Sequence, residues 1–393
     1  MSMPTISRNE AAICSLLLVG ALLLLFGRAR RKPAQIDYFA LAGIRAPVPL
    51  LDFDVDKTKA RPYRPFRWEY HQTMSLKNMD PDRWIELEST YKERIQQRMD
   101  LYAKHGKKII DSQPGSEDAC RELMQMVIQF VCARYPRQFI MDASGIFYNN
   151  ILGITSNTRT MHPLVFLLQH IPEDFLLTQE DKKTGLYVFR AGVSCSALGW
   201  NVSTKIGLPL HDIHKPVPDY KEKMEFSMNR FFTNMKVEKP IQRGSWGIEH
   251  GQPLYLQEED PDFRVPVPDL KLSDLHLRVD WQTLRRQAVS LTAFDNDIDF
   301  TSQVTAITGY RPLFTPITDF RSEPYIPKLL LKILRDGKPS FMEYKGFSLF
   351  EHVVMPALEE WAKEQEEKGW VPPEWEERTL AEDPFFPGWE SKL

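Results

Sequence analysis

The texture of the chain changes at Pro172, and no other feature constrains its fold as much. Before that point apolar residues recur at three- and four-residue steps. After it, short alternating or apolar runs are cut by Gly and Pro. The first pattern gives a helix one buried stripe, whereas the second suits antiparallel strands. Asp80-Pro81-Asp82 opens the first expected helix, with Asp80 as N-cap and Pro81 in the first turn. Trp84, Leu87, Tyr91, Ile95 and Met99 then share one face. Residues 116–134 form a second helix, with Leu123, Val127, Phe130 and Val131 facing in, closed by Tyr135-Pro136. Both aromatic stripes read as core packing rather than as a cofactor box. Tyr187 to Arg190 and Trp246 to Ile248 are expected strands. Residues 219–234 return to helical spacing through Met224, Met228, Phe231 and Phe232, and residues 326–336 and 348–367 are helical again. The fold class is α+β: helices first, a mostly antiparallel sheet in the middle, helices last.

Residues 11–27 are almost wholly apolar and end in Arg28-Ala29-Arg30-Arg31-Lys32. As a helix the run reaches roughly 25 Å, the low end for spanning a bilayer. No small-residue cleavage site follows it, and the basic cluster acts as a stop-transfer flank. The expectation is one N-terminal transmembrane helix with everything after Lys32 in the cytosol. The expected organisation is a short tail (1–10), the membrane anchor (11–27), a basic and Pro-rich tether (28–60), one large domain (61–368) and a C-terminal tail (369–393).

The formal net charge is -3 over 393 residues, with both signs mixed along the chain, so no nucleic-acid footprint is present. Cys14, Cys120, Cys132 and Cys195 contain no Cys-x-x-Cys pair, which argues against a zinc knuckle or an all-thiolate iron–sulfur cluster. The dinucleotide, P-loop, nucleophile-elbow and zincin motifs are all missing from the sequence.

What chemistry remains lies between Gly192 and Gln282. His211 and His214 stand three apart between Pro209 and Pro216, with no third metal ligand at a usual spacing. For a single imidazole, burial in a hydrogen bond is the default. Arg243, Arg278 and Arg285 have the forked guanidinium that clamps carboxylates, although singly such residues more often form structural ion pairs. Asn201-Val202-Ser203 is a glycosylation sequon that a cytosolic location leaves idle.

Several separated stretches resemble the α-subunit family of haem-dependent oxidative N-demethylases. They are Pro62 to Trp68 (PYRPFRW), the run from Met74 ending in Asp80-Pro81-Asp82-Arg83-Trp84-Ile85-Glu86-Leu87, and Arg134-Tyr135-Pro136. Lys205 to Pro218 (KIGLPLHDIHKPVP), Arg243-Gly244-Ser245-Trp246 and Leu277 to Arg286 (LRVDWQTLRR) follow in the same order. The resemblance runs from about Arg61 to about Trp361. It implies a PAS-like domain, with flanking N- and C-terminal helices, that holds haem b and oxidatively demethylates an amine. O₂ would bind ferrous haem, and a separate flavin and iron–sulfur reductase would supply electrons. It makes His214 the axial ligand of the iron, with His211 and then His276 as fallbacks. Arg243, Arg278, Arg285 and Trp246 become cofactor-binding candidates, and Asp280 and Gln282 catalytic ones. Asp280 stands where the family pattern has Glu, one methylene shorter.

The pattern lapses after Arg286. In place of Leu-Pro and a short apolar strand, the chain has Gln287-Ala288-Val289-Ser290 and the polar run Asp295-Asn296-Asp297-Ile298-Asp299. It resumes near Leu313-Phe314-Thr315-Pro316. The expectation is that the strand is lost and that residues 287–311 are a divergent loop or a gene-model artefact. Two rivals keep the fold: a haem or ligand sensor without turnover, and an interaction protein without haem.

Overall fold

The structure is a computed structural model that describes residues 36–70, 73–287 and 304–393. Its centre is a seven-stranded sheet in the order β1-β8-β9-β10-β6-β7-β2. The strands are β1 (Lys77–Asn78), β2 (Ile110–Ser112), β6 (Asp174–Glu180), β7 (Tyr187–Val193), β8 (Ile241–His250), β9 (Leu275–Arg286) and β10 (Thr305–Pro316). Every pairing between these strands is antiparallel. A separate sheet of β3 (Phe139–Met141), β4 (Ile146–Asn149) and β5 (Ile154–Asn157) lies in the part of the sequence expected to be helical.

Strand alternation divides the large sheet into two unlike faces. On one, Leu275, Leu277, Val279 and Trp281 of β9 join Phe175, Leu177, Ala191, Val193 and Ile307 under helices. The N-terminal helices α1 (Tyr91–His105), α2 (Glu117–Arg134) and α3 (Pro163–His170) carry the core against β6 and β7. The C-terminal helices α4 (Ile326–Asp336) and α5 (Glu351–Glu367) carry it against β8 and β9. The helices expected over 116–134 and 326–336 therefore form, and the one expected over 348–367 begins at Glu351. The stretch 219–234 forms one π-turn (Tyr220–Met224) running into a helix (Glu225–Asn234), and it caps the other face of the sheet.

Two expectations need correction. The helix placed from Asp80 to Met99 is split. Asp80 does cap a turn, accepting from Asp82 N at 3.0 Å, but only Pro81–Arg83 is helical before α1 starts at Tyr91. Between them the Glu86 N–H donates to Glu173 Oε1 at 3.1 Å and the Leu87 N–H to the Tyr135 hydroxyl at 3.3 Å. Tertiary partners have taken the donors that a continuous helix would use. Nor is the strand after Arg286 lost. β10 pairs with β9 from Ala306↔Arg286 to Pro316↔His276, and with β6 on its other side. The part of the expected interruption before it, residues 288–303, lies outside the described residues.

Among the described residues no helix is long and apolar enough to cross a membrane. The anchor expected over residues 11–27 lies outside them. The tether drapes onto α2 at Tyr38, which donates from its hydroxyl to Gln125 at 2.6 Å and from its N–H to Gln129 at 2.8 Å. The C-terminal tail packs into the fold, with Val371 and Phe386 fully buried and Asp383 paired with Lys77 at 2.8 Å and Arg67 at 3.1 Å.

Candidate functional site

The sheet face turned away from the helices forms the floor of a cavity of about 980 Å³. That is the upper end of the range for small-molecule sites, roughly 300–1,000 Å³. Its rows follow from register. Leu284, Thr308 and Leu176 lie side by side across β9, β10 and β6. The next row is Arg243, Gln282 and Tyr310, then Ser245 beside Asp280, then Gly247 beside Arg278. Gly192 keeps the β7 end of this floor low, since a Cβ there would meet Leu176 and Phe189 at 2.8 Å.

The two ends of the cavity differ in chemistry. Near Leu284 the walls are Phe189, Leu210, Val217, Tyr220, Met224, Met228 and Phe232. His214 enters at this apolar end. It follows the short helical turn Leu210–Ile213, and Pro209 and Pro216 fix the chain on both sides. Its Nδ1 lies 2.7 Å from the Leu210 carbonyl oxygen, and its ring stacks on Tyr220 with centroids 5.1 Å apart. A carbonyl only accepts, so Nδ1 carries the proton and Nε2 keeps a free lone pair. Burial, helped by the charges of Arg243 and Lys205, holds the imidazole below its ordinary pKa and therefore neutral.

Arg243 has no hydrogen-bond or ion-pair partner among the described residues, and its Nε is a buried donor left unmade. Burial pulls its pKa below the usual guanidinium value, while the phenols of Tyr310 and Tyr70 oppose this. A buried cation without a counter-charge is costly, so this side of the cavity is built to receive an anionic group. Burial also pushes the Tyr310 phenol up to about 12.

Arg278 faces the same cavity but is already engaged. Its Nε donates to Asp280 at 2.9 Å, one terminal nitrogen to the Pro253 carbonyl at 3.0 Å, and the other to the Ser196 carbonyl. Asp280 and Gln282 both line the floor. Beyond Asp280 stands Glu249, whose carboxyl burial raises above its usual range, with Asp280 adding to the effect.

Three expected site residues are placed elsewhere. Arg285 stands on the helical face of β9, where its guanidinium lies 4.1 Å over the Trp84 ring and burial lowers its pKa to about 10. Its side chain alternates away from the floor made by 278, 280, 282 and 284. His211 is not a lining residue; its Nε2 lies 3.7 Å from Asp212. His276 sits past the end of the floor, 3.3 Å from the Gln252 amide nitrogen. Trp246 borders the cavity, but its ring belongs to the helical face, edge-on to Phe66 and 4.0 Å beneath the Lys345 ammonium.

Sequence reading missed Tyr310, Tyr220 and Glu249. Tyr310 falls inside the stretch expected to be an interruption. Tyr220 lies in the stretch 219–234, whose helical spacing rests on Met224, Met228, Phe231 and Phe232, and Glu249 carries no motif. Strand register alone would have found Tyr310, given the pairing of β9 with β10.

The described residues include no group of three or more His, Cys, Asp or Glu able to hold a bare metal ion. A porphyrin brings four nitrogen ligands of its own, so a single imidazole in an apolar lobe with a free cation nearby suits it. No curated protein matches the chain. One family model, described as haem-dependent oxidative N-demethylase, alpha subunit-like, matches residues 75–355 and so takes in every strand of the large sheet. The stretches at Pro62 to Trp68 and beyond residue 355 lie outside that match. The match points to haem-dependent, oxidative N-demethylase-like chemistry, and the chain belongs to this family.

Proposed function

We propose that the cavity takes haem b, whose iron His214 Nε2 would ligate and whose carboxylates Arg243 would hold, for the oxidative demethylation of a small amine. The observation that carries this is the His214 tautomer. Its Nδ1–H is committed to the Leu210 carbonyl, the second-sphere contact that orients a ligating imidazole and raises its basicity. Bound haem iron would supply the O₂-binding, electron-accepting centre that no side chain here provides. Leu210, Val217, Met224, Met228 and Phe232 would exclude water around it. Asp280, aimed by Arg278, would hold the ammonium of the substrate, and Gln282 would orient it. The domain is PAS-like in this reading, and electrons come from a separate flavin and iron–sulfur reductase. Residues 11–27 would anchor the protein in a membrane with the domain in the cytosol.

The test is a haem titration of the full chain, followed by substrate-dependent O₂ consumption with a supplied reductant. His214→Gly should lose the Soret band of the wild type and recover it on addition of free imidazole. The protein should stay folded, because the lost hydrogen bond and ring stack cost about 1–3 kcal/mol together. A Soret band unchanged in His214→Gly would refute axial ligation. Haem binding without turnover would make the protein a sensor.

A further inference from the structure

Four aromatic rings lead from the cavity wall to the surface on the C-terminal side. Trp281 borders the cavity from the helical face of β9, its ring lying over Gly244. It stacks on Tyr63 with centroids 3.9 Å apart and planes at 19°. Tyr63 stacks on Phe385 at 5.1 Å and 26°, and Phe385 on Trp389 at 4.0 Å and 11°. Trp281 and Tyr63 are buried, whereas Phe385 and Trp389 are half-buried. The Tyr63 hydroxyl donates to Glu86 Oε2 at 3.0 Å and receives a contact from the Arg61 guanidinium. Only Trp281 and Glu86 of these residues lie within the family match, so most of the path belongs to this chain's flanks.

Core packing explains four touching rings and a partnered phenol, but here the partner is a carboxylate, a group able to take the phenol's proton. Indole and phenol are the side chains most easily oxidised by one electron. A phenol loses its electron readily only when its proton has a base to go to, and Glu86 is in place to accept it. Phe385 is too hard to oxidise to hold charge, so it would serve as the bridge between Tyr63 and Trp389.

We propose that Trp281, Tyr63, Phe385 and Trp389 form a path by which oxidising equivalents leave the cavity when its chemistry misfires. The proposal rests on the haem reading above, with a peroxide as the oxidant. One electron leaves Trp281 to fill the deficit in the cavity. Tyr63 refills Trp281, giving one electron from its ring and its proton to Glu86. Trp389 then returns an electron across Phe385 while Tyr63 takes its proton back from Glu86. An external thiolate or ascorbate-class reductant restores Trp389, so each turn passes one electron inward and leaves the path unchanged.

The experiment compares the full-length wild type with Tyr63→Phe and Trp389→Phe, which keep the rings stacked. Haem uptake and thermal stability are recorded first. Each haem-loaded protein is then treated with hydrogen peroxide, and oxidised residues are mapped by peptide mass spectrometry. Wild type should carry its oxidation on Trp389. In Tyr63→Phe the label should fall several-fold at Trp389 and rise at Trp281 and other cavity residues. The same label distribution in both proteins overturns the path. A second arm needs no haem. Azide radicals from pulse radiolysis oxidise accessible indoles, and the tyrosyl signal growing in as tryptophanyl decays is followed. That growth should diminish in both variants, and identical kinetics in all three proteins overturn the proposal. Failure to take up haem would remove the functional reading, while the radiolysis arm would still decide the path.

Discussion

Asp174 is the residue whose loss should damage this fold most for the fewest atoms changed. It opens β6, is fully buried, and pairs with the equally buried Arg98 of α1. It also accepts from the N–H of Cys195 at 2.9 Å, the N–H of Ser196 at 2.8 Å and the hydroxyls of Ser194, at 3.1 Å, and Ser196. Asp174→Asn removes the charge and exchanges one acceptor oxygen for a donor, so Arg98 loses its counter-charge, and an amide oxygen left on its side turns the new NH2 against the Ser196 N–H. Breaking one side of a buried ion pair costs about 3–5 kcal/mol. That corresponds to a fall in Tm on the order of 10 °C. Arg98→Met should cost less, since the carboxylate would still hold its other four donors. The double variant should be less destabilised than the sum of the singles by about 1 kcal/mol or more. Urea unfolding at constant slope measures all three. Strict additivity, or an Asp174→Asn midpoint equal to wild type, would refute the reasoning. The site should respond too, because Ser196 supplies the carbonyl that receives Arg278.

Other perturbations follow from the same geometry. Arg243→Leu should raise the thermal stability of the haem-free protein, by removing an unpaired buried cation, yet weaken haem binding by about tenfold or more; calorimetry and a haem titration give the two signs. Burial raises the Glu173 carboxyl to about 7. Its folded pKa exceeds the unfolded value, so it contributes stability that is full below about 4.3 and lost as pH rises through 7. Glu173→Gln should therefore flatten the fall in stability between about pH 4.5 and 7, and parallel unfolding curves would count against it. Deleting residues 1–32 should release the protein from membranes with its fold intact, since packing of the described chain begins at Tyr38; fractionation at high salt is the check.

Local periodicity carried the helices well where apolar residues recur through the whole element. Residues 117–134 and 326–336 are both of this kind, and both boundaries were legible to within a residue. The split before α1 was not, because its cause is the Glu173 and Tyr135 side chains, far away in sequence. The small sheet of β3, β4 and β5 was missed because its strands are only three or four residues long. Runs that short lack the repeats on which an alternating pattern can be recognised. β10 was misjudged for a different reason. Its neighbour in sequence is a polar run, whereas its partners in space are β6 and β9.

The site divides along the same line. His214, Arg243, Asp280 and Gln282 were singled out by residue type and resemblance, and the fold brings all four to one cavity. Arg285 looked equivalent to Arg243 in the sequence, and one step of strand parity separates them. Arg243 lies on the floor with no partner among the described residues, while Arg285 rests on Trp84 behind the sheet. Arg278 differs from both, since Asp280, Pro253 and Ser196 already occupy its donors. Three arginines of like appearance thus have three roles: a free cation facing the cavity, a packing element and a positioning residue. Composition cannot separate these, because the distinction is whether each guanidinium has found its acceptors. That follows from strand register and from a loop more than 20 residues away in sequence, so the role of each arginine becomes readable only once β8, β9 and β10 are paired.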